Sequence, residues 1–152
     1  MSILPSGLLE AVGDSELLAR FIRYSGHYVA TKNRIKYAAF LPDKAEDETS
    51  VFRVDGLTDL EVSTVGTQNV PSGSFHGMAV IRADVARKQK LEVISAEPPG
   101  RHAVFQKWPL DFDEDEQRSK RMVIAMELAE RSTYKPKIVT QDVPMESSDP
   151  SI

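Results

Sequence analysis

The spacing of apolar residues predicts a helix near each end of the folded part of the chain. In residues 14–24, leucine, phenylalanine and isoleucine recur at helical spacing, and Gly26 stands where a left-handed residue would end a helix. Residues 113–131 repeat this spacing. Their first turn is acidic and Arg131 lies in the last turn, which suits the helix dipole. We therefore expect an N-terminal and a C-terminal helix.

Between these two segments the pattern predicts short strands. They are rich in β-branched and aromatic residues or alternate in polarity, and turn residues separate them. These segments are 34–38, 50–54, 76–85, 91–95 and 102–106. Thr58 and Glu61 form a capping box that predicts a two-turn helix up to Val65. The fold class that follows is α+β, a small and mostly antiparallel sheet on which the N-terminal and C-terminal helices pack.

Length and composition indicate one domain. The chain has 152 residues, of which 41% are hydrophobic and 28% are charged, enough for a single core over residues 1–135. Residues 136–152 are polar and aperiodic, which predicts a flexible, disordered C-terminal tail. The chain has no cysteine, no signal-peptide pattern and no apolar run of about 18 residues. We therefore expect a cytoplasmic protein with no membrane partner.

Charge is unevenly distributed along the chain. A net charge of -4 argues against binding nucleic acid through a generally basic surface. However, no acidic residue lies between Glu16 and Asp43, whereas five cations do: Arg20, Arg23, Lys32, Arg34 and Lys36. We call residues 20–36 the basic segment. Arginine and lysine bind phosphate oxygens, and tyrosine stacks on bases, so the segment predicts a phosphate-bearing ligand such as a nucleotide or RNA.

The candidate site residues follow from that hypothesis. The candidate ligand-binding residues are Arg34, Lys36, Arg53, Arg101 and Tyr28. His27 and His102 are the candidate acid and base if the chain cleaves its ligand, because imidazole titrates near neutral pH. The sequence leaves open whether the chain is an enzyme. It contains no cofactor motif, and its three histidines are too scattered to predict a metal site.

A second interpretation explains the same charges without a phosphate ligand. Cationic stretches commonly lie on a solvated face or pair with acidic residues of the same protein, and residues 111–116 carry five carboxylates. A basic face and an acidic face also suit docking on another protein. The alternative function is therefore a non-enzymatic protein-interaction or regulatory module.

Several short runs resemble a group of small uncharacterised bacterial proteins. The runs are Leu18-Ala19-Arg20-Phe21, Ser25-Gly26-His27-Tyr28, Asn33-Arg34-Ile35-Lys36, Ala39-Phe40-Leu41-Pro42, Ser50-Val51-Phe52-Arg53, Gly56-Leu57, Arg101-His102-Ala103 and Trp108-Pro109. Together they span roughly residues 14–130. The resemblance implies a bacterial origin, and no activity is attached to the group.

Overall fold

A six-stranded antiparallel sheet forms the centre of the computed structural model, which describes residues 2–71 and 73–139. The sheet strands are β1 (Leu17–Ile22), β4 (Thr49–Arg53), β5 (Gly77–Arg82), β6 (Glu92–Ser95), β7 (His102–Gln106) and β8 (Thr133–Pro136). Their order across the sheet is β6-β7-β4-β1-β5-β8. Two further strands, β2 (Tyr28–Val29) and β3 (Arg34–Ile35), pair with each other in a separate ribbon.

Three α-helices accompany the strands in the described part of the chain: α1 (Asp59–Asn69), α2 (Ala83–Lys88) and α3 (Glu114–Arg131). The predicted capping box is present, and α1 continues through Gly66 instead of ending before it. The segment predicted as the C-terminal helix forms α3, whose first amide groups donate to the Asp113 carboxylate. The fold does not end there, because β8 follows α3 and adds a strand to the sheet edge.

Helices cover both faces of the sheet. One face, which we call the α3 face, packs against α3, α2 and a 3₁₀ turn at Tyr37–Phe40. The opposite face, the α1 face, packs against α1. Side chains alternate between the two along each strand, so Val51 lies in the core of the α3 face and Phe52 in that of the α1 face. The α+β class and the antiparallel sheet are confirmed.

The predicted N-terminal helix is wrong. Residues 14–24 contain β1, which pairs with β4 on one side and β5 on the other. Leu18 and Ile22 are buried on the α3 face, and Ala19 and Phe21 are buried on the α1 face. A central strand buried on both faces needs apolar residues at nearly every position. Such a run contains the spacing of a helix as well, so the apolar pattern could not separate the two.

The basic segment connects β1 to the 3₁₀ turn and lies beside α3. Its ribbon buries Ile35 in the core of the α3 face, whereas Arg34 and Lys36, on either side, are exposed. At the other end of the chain, the Ile138 amide donates to Ser63 Oγ. Most of the predicted tail, from residue 140 to residue 152, lies outside the described residues. No helix in the described ranges is long and apolar enough to cross a membrane.

Candidate binding site

A groove lies between β3 and the second half of α3, with a cavity volume of about 530 Å³. We call it the basic groove. Its lining residues are Asn33, Arg34, Ile35, Lys36, Tyr37, Met126, Ala129, Glu130 and Ser132. Ile35 and Ala129 are buried beneath it, whereas Tyr37 and Met126 expose 39% and 52% of their surface. The groove therefore combines an aliphatic floor with cations at its edge.

The cations of the groove have no acidic partner among the residues that the structure describes. Neither Arg34 nor Lys36 makes a side-chain hydrogen bond or ion pair with any residue that the structure describes. The arginines other than Arg23 and Arg34 each donate to a carboxylate or to a backbone carbonyl. An exposed guanidinium that the fold does not use is available to an external anion.

The basic segment carries further positive charge outside the groove lining. Arg20 donates to the carbonyl oxygens of Ala39 and Ser50 at 2.7 and 2.8 Å. Burial, and then the nearby Arg23, lower the pKa of Arg20 to about 10, so it remains charged at neutral pH. Burial, together with the charges of Arg20 and Lys36, lowers the pKa of His27 below its usual value. The cations of the basic segment thus add to the effect of burial on the pKa of His27.

Replacing Lys36 with glutamine is expected to raise the pKa of His27, because one of the two cations that disfavour the imidazolium is removed. The measurement is an NMR titration of the His27 ring protons. A lowered folded-state pKa means that the unfolded chain binds the proton more readily. The contribution of His27 to stability is therefore present above about pH 6.5 and is lost as the pH falls through the folded-state value.

The matched control for this titration is Lys88→Gln, which removes an exposed cation from α2. It should leave the His27 titration unchanged, and the acid-induced loss of stability should be smaller in Lys36→Gln than in Lys88→Gln. Equal titration curves in all three proteins would contradict the placement of Lys36 beside His27.

The two candidate catalytic histidines lie on opposite faces of the sheet. His102 is paired with Phe52 across β4 and β7 on the α1 face, with the ring centroids 5.2 Å apart. His27 instead lies on the α3 side, where its carbonyl accepts from the Lys36 amide and its ring meets Tyr24. The structure therefore does not bring His27 and His102 together as an acid–base pair.

His102 has another partner, which the sequence did not indicate. Its Nδ1 donates to the Ala96 carbonyl at 2.9 Å, so in the neutral ring Nε2 accepts from Ser50 Oγ at 2.6 Å. A serine hydroxyl bonded to an oriented imidazole is also the arrangement of a nucleophile and its base. In this protein the two hydrogen bonds of His102 connect Ser50 in β4 with Ala96, the residue that follows β6. Ser50 was predicted only as the start of a strand.

The remaining predicted ligand residues are also spread through the fold. Arg53 is 3% exposed and pairs with Glu16, with Nε–Oε2 and Nη2–Oε1 distances of 2.5 and 2.9 Å. Arg101 donates to the Arg53 carbonyl at 3.0 Å. The Tyr28 ring stacks on that of Tyr134 at 5.1 Å. Arg53 and Arg101 are thus neighbours, and Tyr28 pairs with Ile35 in the ribbon, but of the predicted ligand residues only Arg34 and Lys36 line the basic groove.

The groove also contains residues that sequence reasoning missed. Tyr37 lies in segment 34–38, which was predicted as a strand, and Met126 lies in the predicted C-terminal helix, where the apolar spacing suggests burial. Met126 instead points away from Ala125 and Leu128, both of which are fully buried. Val123 is on the same outward side and is 62% exposed. A helical projection centred on Ala125 and Leu128 is the signal that would have found this outward face.

The acidic run does not neutralise the basic segment. Asp111 pairs with Lys120 at 2.8 Å, and Asp115 pairs with Arg118 at 2.9 Å, both within or next to α3. No ion pair joins residues 111–116 to the basic segment in the part of the chain that the structure covers. The two charged regions are therefore separately exposed.

Comparison with known proteins assigns no function to this groove. No protein family matches the chain, and no curated protein or solved structure is significantly similar to it. Within residues 2–71 and 73–139, no group of histidine and acidic side chains is placed to hold a metal ion. A functional hypothesis therefore has to rest on the contacts and charges of the groove.

Proposed function

We propose that the chain is a protein-interaction module whose basic groove binds an acidic segment carrying an apolar anchor side chain. The observation that supports this is the position of Arg34 and Lys36 above a floor of Ile35, Met126 and Ala129. Both cations are exposed, and neither has an acidic partner within residues 2–71 and 73–139. The cations would attract the acidic segment and fix its orientation. The aliphatic floor, with its adaptable methionine, would bury the anchor.

The lining favours a protein segment over a phosphate-bearing ligand. The Glu130 carboxylate shares the groove with the two cations and repels phosphate and carboxylate groups alike, so the preference for a protein segment rests on the apolar floor. Tyr37 is the one aromatic side chain among the lining residues, so stacking of successive bases has little support. The nucleotide or RNA hypothesis stays a prediction, and it is the competing outcome of the test below. We also propose that the protein is bacterial and cytoplasmic.

Replacing Arg34 and Lys36 with glutamine is expected to weaken binding of an acidic peptide roughly tenfold. Two partly exposed charge contacts contribute about 1–2 kcal/mol together, and 1.4 kcal/mol corresponds to a factor of ten. The probe is a synthetic peptide rich in aspartate and glutamate with one leucine and one phenylalanine, and binding is followed by fluorescence anisotropy. Affinity should also fall as salt is raised, because exposed charges are screened.

Lys88→Gln combined with Lys90→Gln is the matched control, because it removes the same net charge from exposed lysines of and after α2. This control should bind the peptide as the unmodified protein does, whereas Met126→Ser should weaken binding through loss of the floor. Equal loss in both double variants would mean nonspecific attraction. A short single-stranded RNA that binds more tightly, and loses affinity only in the groove variant, would replace this proposal with the phosphate hypothesis.

A further inference from the structure

The loop before α3 presents two apolar side chains to solvent. Leu110 is 73% exposed and Phe112 is fully exposed, although the loop around them is held in place. Arg121 donates to the Pro109 carbonyl at 2.8 Å and to both carboxylate oxygens of Asp47 at 2.7 and 3.1 Å. A fixed loop that exposes large apolar groups is typical of a binding surface, because little conformational entropy is lost on docking.

The same loop is strongly acidic. Residues 110–116, which we call the acidic knob, carry Asp111, Asp113, Glu114, Asp115 and Glu116 around the two apolar side chains. The knob therefore has the composition that the basic groove would select, namely carboxylates beside an apolar anchor. Its charge and the charge of the groove are complementary, and neither is neutralised by the other within one molecule.

The knob and the groove lie at opposite ends of α3. The 18 residues of α3 span about 27 Å, so the knob of one molecule cannot reach the groove at the far end of its own helix. Val123, between the knob and the groove, and Met126, in the groove lining, form an exposed apolar strip on the outward side of the helix. If a second α3 packs antiparallel along this strip, the acidic first turn of each helix lies beside the C-terminal end of the other, next to the groove residue Ser132.

We infer that the acidic segment bound by the groove is the knob of a second copy, so that the chain forms a symmetric dimer through antiparallel α3 helices. This inference rests on the proposed function. Val123 of each copy faces Met126 of the other, which places the acidic first turn of one α3 beside the C-terminal end of its partner. Arg34 and Lys36 meet the carboxylates of the knob. The arrangement is closed, because the same surface is used on both copies.

A charge-swap experiment tests the dimer. One variant carries Arg34→Glu and Lys36→Glu, and the other carries Asp115→Lys and Glu116→Lys. Each alone places like charges at both contacts, so its self-association should weaken roughly 100-fold or more. In an equimolar mixture both contacts regain opposite charges. Analytical ultracentrifugation should show the unmodified protein at twice 16.9 kDa, each variant near 16.9 kDa, and the mixture as a heterodimer.

A second pair of variants separates loss of docking from loss of folding. Val123→Glu with Met126→Glu changes side chains that are already exposed, so it should give a monomer with an unchanged circular dichroism spectrum. Leu60→Glu puts a single carboxylate on an exposed apolar residue of α1, away from α3, and should leave the dimer intact. Dissociation by Leu60→Glu would place the interface on the other face and overturn the inference.

The outcomes distinguish this inference from the proposed function. A monomeric unmodified protein that still binds the acidic peptide through Arg34 and Lys36 overturns the dimer and leaves the groove as a site for another protein. A dimer that persists in both charge variants, or a mixture that fails to associate, also overturns it. If the unmodified protein is monomeric and binds no acidic peptide, both proposals fail.

Discussion

Replacing Arg53 with methionine is expected to lower the free energy of unfolding by about 3–5 kcal/mol. Arg53 is almost fully buried, and its guanidinium bonds the Glu16 carboxylate, the carbonyl oxygens of Leu9 and Ala11, and Ser95 Oγ. Methionine fills much of the same space but leaves the Glu16 carboxylate without its cation in a largely buried place. The measurement is urea denaturation followed by circular dichroism.

The control for this substitution is Arg82→Met, which breaks the ion pair between Arg82 and Asp84. The Arg82 side chain is 53% exposed. Exposed pairs contribute about 0–1 kcal/mol, so this variant should remain close to the unmodified protein. Adding Glu16→Met to Arg53→Met should recover part of the loss, because the stranded carboxylate is removed as well. Equal stability of the two single variants would show that Arg53 does not anchor the N-terminal segment.

Arg53 also shows why the predicted site was only partly correct. The sequence places Arg53 at the end of a strand, which is confirmed, and proposes it as a phosphate ligand. Its acidic partner is 37 residues away in the chain. Such a contact follows from the order of strands in the sheet, which no local pattern specifies. By contrast, Arg34 and Lys36 were proposed together with the other cations of the basic segment, because the acid-free stretch contains no local partner for them.

The fold was predictable where the signal is local. The Thr58 capping box depends on four consecutive residues, and the first turn of α3 depends on its own acidic residues, so both helix starts were predicted. β7 has the predicted bounds. β1 was not predictable in this way, because burial on both faces removes the alternation that identifies a strand. The groove lies between β3 (residues 34–35) and the end of α3 (residues 126–132). Because these segments are far apart in the chain, the groove could not be predicted without the tertiary arrangement.

Gly66 illustrates the same limit within a helix. Glycine commonly follows a helix, so the sequence predicts that α1 ends before Gly66. In the structure α1 continues to Asn69, and the glycine lies against the rings of Phe21 and Phe75. A Cβ atom at this position would be 2.5 Å from the Phe75 ring and 2.9 Å from the Phe21 ring. The absent side chain therefore allows close packing, a reason that only the tertiary structure reveals.

Replacing Gly66 with valine is expected to destabilise the protein by about 3 kcal/mol, at the upper end of the cost of overpacking a core. The two rings meet edge to face at 5.3 Å, so neither can turn away freely. The gain in helix propensity over glycine is below about 1 kcal/mol and does not offset the clash.

Gln68→Val, on the exposed side of α1, controls for the propensity of valine and should change the melting temperature little. Adding Phe75→Leu should recover stability specifically in the Gly66 variant, because the two positions share one space. A Gly66→Val protein that melts with the unmodified one would show that α1 does not pack against these rings.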